Sequence, residues 1–195
     1  SDIKHPDIGV IKKSIESNEQ RIVTINTPDK ALKNLIDSQL IILYQPNRNF
    51  SALFQEIKKL NKNTITFTGL QTDWSFLNNN QINFIKEITN QEELTQGYLN
   101  SNFGYFLTED IGFSDFRPLN TFFGTLTILN KSEFLLDQFI NGYRTESPLL
   151  AIIESNLRRE AIWDGEGLWK WRAQSYLESQ DYRKFDLFMG NIIQY

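Results

Sequence analysis

The stretch Ile162-Trp163-Asp164-Gly165-Glu166-Gly167-Leu168-Trp169-Lys170-Trp171-Arg172 decides how the fold of this chain is interpreted. It gathers most of the tryptophans, two glycines and charges of both signs. Its order predicts the end of a core strand, a tight glycine turn and the start of a helix. Open α/β sheets bind their ligands at such strand ends, so the stretch is also the first candidate site.

The composition excludes several kinds of chemistry. A chain of 195 residues that is 40% hydrophobic and 13% aromatic can bury a core as a single domain. The formal net charge of −4 argues against a nucleic-acid partner, which would require a basic face. The absence of cysteine excludes disulfides, thiolate metal sites and cysteine nucleophiles.

Nothing in the sequence predicts that this chain itself contacts a membrane. No apolar run reaches the roughly 18 residues that a membrane-spanning helix requires. The first residues, Ser1 to His5, lack the apolar core of a signal peptide and lie close to a helix start. We therefore expect residues 1–195 to be one domain of a longer protein.

The first part of the chain alternates between strand and helix patterns. Runs of apolar and β-branched residues predict strands at 21–26, 39–44 and 64–68. Apolar residues at helical spacing predict helices at about 7–15, 27–36 and 50–60. This alternation is typical of a doubly wound parallel sheet.

The alternation ends near Thr72. The polar residues 73–83 predict a loop or a short helix. An inserted antiparallel section is predicted at about 84–146, with two or three short strands before residue 107 and a hairpin around 130–132. Beyond it the sequence returns to core strands and two helices, predicted at 148–153, 158–163, 168–177 and 185–193.

Three segments resemble a known family: His5-Pro6-Asp7-Ile8-Gly9-x-Ile11-Lys12, Leu40-Ile41-Ile42-Leu43-Tyr44-Gln45-Pro46 and Gly165-Glu166-Gly167-Leu168-Trp169-Lys170-Trp171-Arg172. In this order they resemble the class I glutamine amidotransferase-like domain of large bacterial membrane proteins that often carry von Willebrand factor A-type regions. The resemblance implies a flavodoxin-like α/β fold, a parallel sheet with flanking helices, and a strand lying before Ser1. It also implies an extracytoplasmic, periplasmic domain of a membrane-anchored protein.

Active members of that superfamily use a Cys-His-Glu triad, with the cysteine on a sharp turn after a central strand. The matching turn here is Thr68-Gly69-Leu70-Gln71-Thr72, which places Gln71 at the nucleophile position. A carboxamide cannot attack an amide, and the only histidine is His5. The resemblance therefore implies the fold without its reaction, with no catalytic residue and no cofactor.

Asp164 and Glu166 are the most specific candidates for ligand binding. Two carboxylates at a strand end would serve as an acid–base pair or a cation site. The competing interpretation makes Asp164 the cap of the next helix and Glu166 a partner of the helix dipole. An anion at the neighbouring glycine N–H groups is disfavoured, because both carboxylates would repel it.

Gln45, Gln71 and Asp73 complete the set of candidate ligand-binding residues, because they lie on turns that the resemblance places around the same crevice. His5 and Asp7 would need further ligands to hold a metal, and the sequence offers no second histidine, so no metal site is predicted.

The tryptophans would either form a stacking platform for a sugar or base or pack into the core. Trp169 and Trp171 are two residues apart, which places them on different sides of a helix and favours packing.

Three functions compete. We expect a non-catalytic domain that contacts other proteins, including the rest of its own parent chain. The alternative is a module that binds a small ligand, a carbohydrate or a peptide, in the residual crevice; a cysteine-independent hydrolase is the third. A deep pocket joining Gln45, Gln71, Asp73 and Glu166 would favour the second. A crevice filled by side chains, with an apolar patch elsewhere, would favour the first.

Overall fold

The computed structural model describes residues 3–155 and 158–195. Its α-helices are α1 (Pro6–Ile15), α2 (Pro28–Asn34), α3 (Ser51–Lys59), α4 (Trp74–Asn80), α5 (Leu168–Ser179) and α6 (Arg183–Gln194). Its strands are β1 (Leu40–Tyr44), β2 (Asn63–Phe67), β3 (Phe84–Leu99), β4 (Leu119–Ile128), β5 (Ser132–Ile140), β6 (Tyr143–Ser155) and β7 (Arg158–Trp163). Short 3₁₀ turns lie at Arg48–Phe50 and Phe113–Asp115.

The strands form one mixed sheet in the order β1-β2-β7-β6-β5-β3-β4. β1, β2 and β7 are parallel, with Tyr44 beside Phe67 and Phe67 beside Trp163. The other pairings in the sheet are antiparallel. The sheet therefore has a smaller parallel half and a larger antiparallel half.

The flavodoxin-like parallel sheet predicted from the sequence is wrong. Residues 21–26, predicted as a strand, form no strand, which removes one crossover from the expected series. From β3 to β7 the described chain contains no α-helix. A parallel return needs a long crossover of this kind, so the strands of this part pair antiparallel instead.

Helices cover both faces of the parallel half. On one face, α1, α5 and α6 bury a core around Phe67, Trp163 and Trp171. On the other face, α3 and α4 pack over Leu43 and Ile162. This double cover explains why β1 is a continuous apolar run.

The antiparallel half curls back over the strand ends of the parallel half. Asn120, at the start of β4, exchanges two backbone hydrogen bonds of 2.9 Å with Glu166 in the turn after β7. Ser147 Oγ accepts a hydrogen bond of 3.0 Å from the N–H of Leu126. A bulge in β3 between Ile88 and Glu92 interrupts the pairing with β4, and such bulges increase strand bending. The sheet thus closes into a half-barrel.

Two local predictions for the antiparallel half are also wrong. A single strand, Phe84–Leu99, replaces the short strands predicted before residue 107. Residues 130–132 do not form a hairpin, because β3 lies between β4 and β5 in the sheet. The range 84–146 is the far half of the same sheet, where long-range pairing rather than local turn chemistry sets the strand neighbours.

Candidate functional site

The candidate site lies where the parallel strands end. Because β1, β2 and β7 run in the same direction, their carboxyl ends meet at one edge of the sheet. The residues that follow these strands are Gln45, the segment 68–73 and the segment 164–167. The structure therefore brings the turns predicted to surround the crevice to one place.

Gln45 and Glu166 occupy the centre of this site. The Nε2 group of Gln45 donates to a carboxylate oxygen of Glu166 and, over 3.1 Å, to the hydroxyl of Tyr44. Its Oε1 accepts from the N–H of Gln71 at 2.8 Å. The same Glu166 oxygen also accepts from the N–H of Leu70 at 3.1 Å. Both N–H groups of the Gln45 carboxamide are therefore used within the protein.

Gly69 permits this close arrangement. A Cβ at residue 69 would lie 2.5 Å from Gln45 Nε2 and closer still to the Glu166 carboxylate. Side-chain atoms thus fill the space directly above the strand end. The crevice that the family resemblance implies at this edge is closed by the protein's own hydrogen bonds.

Asp164 is fully buried and ion-paired. Its Oδ2 lies 2.7 Å from Nζ of Lys86, and both side chains are excluded from solvent. Its Oδ1 accepts from the hydroxyls of Thr68 and Thr121 at 3.1 and 2.9 Å. The prediction that Asp164 caps α5 is wrong, because the curl of the sheet places Lys86 and Thr121 beside this carboxylate.

Asp7 of α1 caps α5 instead. Its carboxylate oxygens accept from the N–H groups of Gly167 at 2.7 Å and Trp169 at 2.9 Å. The negative charge complements the dipole of α5. The Tyr44 hydroxyl donates to Asp7 over 3.1 Å and lies 2.7 Å from Nδ1 of His5. Burial, and then the Asp7 charge, raises the pKa of Tyr44 above its usual range, so this phenol stays protonated.

Gln71 and Asp73 lie at the margin of the site. The side chain of Gln71 is exposed, and the residue contributes its backbone N–H to Gln45. Asp73 caps α4, because its Oδ1 accepts from the N–H of Phe76 at 2.8 Å. Its Oδ2 lies 3.4 Å from Nε of Arg48. Asp73 therefore serves the start of a helix.

The arrangement gives the two central carboxylates separate tasks. Asp164 balances the charge of Lys86, whereas Glu166 holds Gln45 and the N–H of Leu70. Among the described residues, no hydrogen bond joins the two carboxylates, and their partners are different. Among residues 3–155 and 158–195, no cluster of three or more histidine, aspartate or glutamate side chains is placed to bind a metal.

Sequence reasoning missed Lys86 and Thr121. A signal for Lys86 was available. Lys86 lies two residues from both Phe84 and Ile88 on β3, so its side chain is on the same, core-facing side of the strand as theirs. A lysine at a core-facing position requires a buried acidic partner. The identity of that partner depends on the curl of the sheet.

The tryptophans of the central stretch divide between core and surface. Trp163 and Trp171 are fully buried, with ring centroids 5.7 Å apart. Nε1 of Trp171 donates to the carbonyl of Arg117 at 2.8 Å. Trp169 is 42% exposed, so Trp169 and Trp171 face different sides of α5, as predicted. Packing, not a stacking platform, accounts for the two buried rings.

No family model matches the sequence, and no curated protein matches it. The fold is similar to that of the cytoplasmic protein STM1381 from Salmonella typhimurium LT2, with a TM-score of 0.60. The alignment covers 95% of this chain and 85% of that chain at 10% sequence identity. At this identity the likeness concerns the fold alone.

These comparisons bear on the predicted location. The protein with the similar structure is described as cytoplasmic, which contradicts the extracytoplasmic location predicted here, and we correct that prediction. The assignment to a membrane-protein domain came from the same resemblance as the flavodoxin-like fold, which the sheet topology contradicts, and we correct it because neither comparison supports it. The resemblance to the glutamine amidotransferase-like family is tested by neither comparison and stays a prediction.

Within the described ranges, no helix combines the length and the apolar character needed to cross a membrane.

Proposed function

We propose that this chain is a non-catalytic domain that binds other proteins. The observation that carries the proposal is the closed strand-end crevice, where Gln45 and Glu166 are bonded to each other above Gly69. Catalysis and small-ligand binding both need polar groups that are free to meet a substrate. Here the central groups are already bonded within the protein, which leaves surface contact as the better-supported function.

An exposed apolar surface on α5 supplies contact area for such a partner. Trp169, Tyr176 and Leu177 recur at helical spacing on the outer side of α5 and are 42%, 38% and 73% exposed. Tyr182 stacks on Tyr176 with ring centroids 4.7 Å apart. Exposed aromatic side chains are enriched at protein interfaces. We call these four residues the α5 surface.

Contacts of Arg172 hold the α5 surface in place. Arg172 forms two hydrogen bonds with the carboxylate of Asp186 on α6, of 2.8 and 3.0 Å. The guanidinium of Arg172 also lies 3.8 Å from the ring centroid of Tyr182. A surface held in place before binding loses less conformational freedom when a partner docks. The cytoplasmic protein that shares this fold supports placing the interaction in the cytoplasm.

A photo-crosslinking experiment in cells tests the interaction. A photoreactive amino acid replaces Leu177 on the α5 surface or, as a control, Lys59 on α3, which covers the opposite face of the sheet. We expect a discrete crosslinked protein from residue 177 that disappears when Trp169→Ser is added. The companion variant Leu94→Ser, which changes an exposed apolar residue on β3, should leave the crosslink intact. Equal crosslinking from both positions, or insensitivity to Trp169→Ser, would contradict the proposal.

A second experiment tests the absence of catalysis. The purified protein is incubated with generic amide and ester substrates beside the variants Asp164→Asn and Glu166→Gln. We expect no turnover above the uncatalysed rate for any of the three proteins. Turnover by the wild type that both folded variants lack would establish a hydrolase and overturn the proposal.

A further inference from the structure

A cavity lies at the opposite ends of the parallel strands from the closed crevice. It has a volume of about 440 Å³ and lies between α3, residues 80–84 and the sheet. This volume falls within the range of small-ligand sites. The ends of the β6–β7 pair and residues 130–131 complete its wall. The cavity shares no lining residue with the strand-end site described above.

The floor of the cavity carries hydroxyl groups from β2. Thr64 and Thr66 alternate with apolar residues, so both side chains leave the same face of the strand. Each residue is about nine-tenths or more buried, with exposures of 5% and 4%, and yet each lines the cavity. No described residue forms a hydrogen bond with either hydroxyl. Each hydroxyl is thus available to donate to and accept from a ligand.

An ion pair lies beside these hydroxyls. Glu160 is the register partner of Thr64 and is ion-paired with Arg158. One amino group of Arg158, Nη1, is buried and has no hydrogen-bond partner among the described residues. Buried donors without partners are uncommon in folded proteins and often mark the place of a water or ligand. Among the described residues this buried donor is thus unused, and it belongs to the ion pair beside Thr64.

The charges around the cavity nearly cancel. Glu160 offsets Arg158 on the floor, and Lys131 lies 2.7 Å from Glu154 on the wall. Lys58 is exposed and has no ion pair among the described residues. Among the described lining residues, the unpaired charge is thus that of the exposed Lys58, so the buried floor does not call for a strongly ionic ligand.

The remaining lining combines amides with apolar rings. The amide side chains of Asn80, Gln81, Asn83 and Asn130 line the cavity but form hydrogen bonds within the protein, whereas that of Asn61 forms none with a described residue. The apolar wall includes Phe54, Ile57 and Phe84. Polyhydroxylated molecules present hydroxyls that need both donors and acceptors, together with C–H faces that pack on apolar rings.

We infer that this cavity binds a neutral polyhydroxylated small molecule of the size of a mono- or disaccharide. Thr64 and Thr66 contact its hydroxyls, and Phe54 and Phe84 contact its C–H face. The site is separate from the α5 surface, so ligand binding here does not depend on the proposed protein interaction.

Ligand-observed NMR and calorimetry with the intact chain test this inference. The neutral probes are D-glucose, D-galactose, D-ribose, myo-inositol, sucrose and trehalose, each added up to tens of millimolar. The charged comparison probes are glucose 6-phosphate and a glycine dipeptide. We expect at least one neutral probe to bind the wild type with a measurable Kd.

Matched valine variants locate the binding. Thr64→Val and Thr66→Val keep the side-chain shape and remove the hydroxyl, and each should raise the Kd about tenfold. Thr127→Val, at an exposed position of β4 outside the cavity, should leave the Kd unchanged. Melting curves and one-dimensional NMR spectra verify that each variant is folded. Binding of the charged probes alone, no binding by any neutral probe, or equal affinity in all variants would overturn the inference.

Discussion

At the scale of single residues, Gly69 leaves room for the two side chains that fill the strand-end crevice. The Gln45 carboxamide and the Glu166 carboxylate occupy the space that a Cβ at residue 69 would take. Their contact brings the turns after β1 and β7 together above the end of β2. The positions of the Gln45 and Glu166 side-chain atoms beside Gly69 thus decide whether this edge of the sheet is open or filled.

Gly69→Ala should destabilise the fold. The new Cβ must displace the Gln45 carboxamide or the Glu166 carboxylate, which breaks buried hydrogen bonds and costs about 1–3 kcal/mol. Urea denaturation followed by tryptophan fluorescence measures the change. An unfolding free energy equal to that of the wild type would show that these side chains are not fixed in the crevice.

Gly9→Ala is the matched control for this variant. Gly9 is exposed within α1, and a Cβ there meets nothing within 4 Å. Alanine in an exposed helix interior is more favourable than glycine by roughly 1 kcal/mol. The same substitution should therefore stabilise the protein at residue 9 and destabilise it at residue 69.

At the scale of the elements, helix α5 obtains its cap from another helix. Its first residues leave N–H groups without partners inside the helix, and Gly167 at the N-cap has no side chain to satisfy them. Asp7 on α1 supplies the acceptors. This contact ties the beginning of the chain to the stretch 162–172 near its end.

Asp7→Ala should lower the free energy of unfolding by about 2 kcal/mol, because it removes a buried charged cap. Urea denaturation measures this loss, and hydrogen exchange should accelerate at the N–H groups of Gly167 and Trp169. Asp29→Ala, at an exposed first-turn acid of α2, should change stability by no more than about 0.5 kcal/mol. Equal effects of the two variants would show that the cap contributes nothing specific.

The end of α6 is held by a second contact between elements. The hydroxyl of Tyr195 donates to Glu154 on β6 over 2.6 Å, and Arg159 lies 4.3 Å from its ring centroid. Burial, followed by the hydrogen bond to Glu154, raises the pKa of Tyr195 to about 12. The hydrogen bond from Lys131, followed by that from Tyr195, lowers the pKa of Glu154.

Glu154→Gln should lower the melting temperature at pH 7, and its effect should shrink as the pH falls below the usual carboxyl pKa. The lowered pKa of Glu154 means that its carboxylate stabilises the folded state above the usual carboxyl pKa. This contribution is lost as the pH falls through the folded-state pKa, because the wild-type side chain then becomes neutral like glutamine. Thermal melts of both proteins between pH 3 and pH 7 measure the difference. A difference of the same size at every pH in this range would assign it to packing instead of charge.

At the scale of the whole molecule, a buried ion pair joins the two halves of the sheet. Lys86 belongs to the antiparallel half and Asp164 follows the last parallel strand, and both are wholly buried. Thr121 on β4 bonds to the same pair of residues, with distances of 2.9 and 3.0 Å. The curl of the sheet is therefore fixed by polar groups that have no access to water.

Lys86→Met should destabilise the protein by about 3–5 kcal/mol, because it leaves the Asp164 carboxylate buried without its cation. Combining it with Asp164→Leu should restore part of that loss, since no charge then remains buried. Lys59→Met, at an exposed lysine, is the control and should change stability by no more than about 0.5 kcal/mol. Urea denaturation of the wild type, Lys86→Met, Asp164→Leu, their double variant and Lys59→Met measures these values. Additive losses in the double variant would show that the two residues act independently.

The local elements of the parallel half were predictable from the sequence. The strands at 40–44, 63–67 and 158–163 and the helix starting at Leu168 lie close to their predicted positions. Their apolar patterns repeat within a few residues, so each segment carries the information for its own conformation. The location of Gln45, Asp164 and Glu166 at one edge of the sheet was also predictable, because these residues come after strands that run in the same direction.

The sequence by itself determined the strand and helix segments of the parallel half and, through the absence of cysteine, the lack of a Cys-His-Glu triad. Only the tertiary structure decided the strand order, the curl that pairs Lys86 with Asp164, and the closure of the crevice over Gly69. Periodicity records which residues are apolar within one segment, whereas strand neighbours depend on hydrogen bonds between segments far apart in the chain. For the same reason, the sequence near Lys86 could not identify its partner Asp164, which lies 78 residues further along the chain.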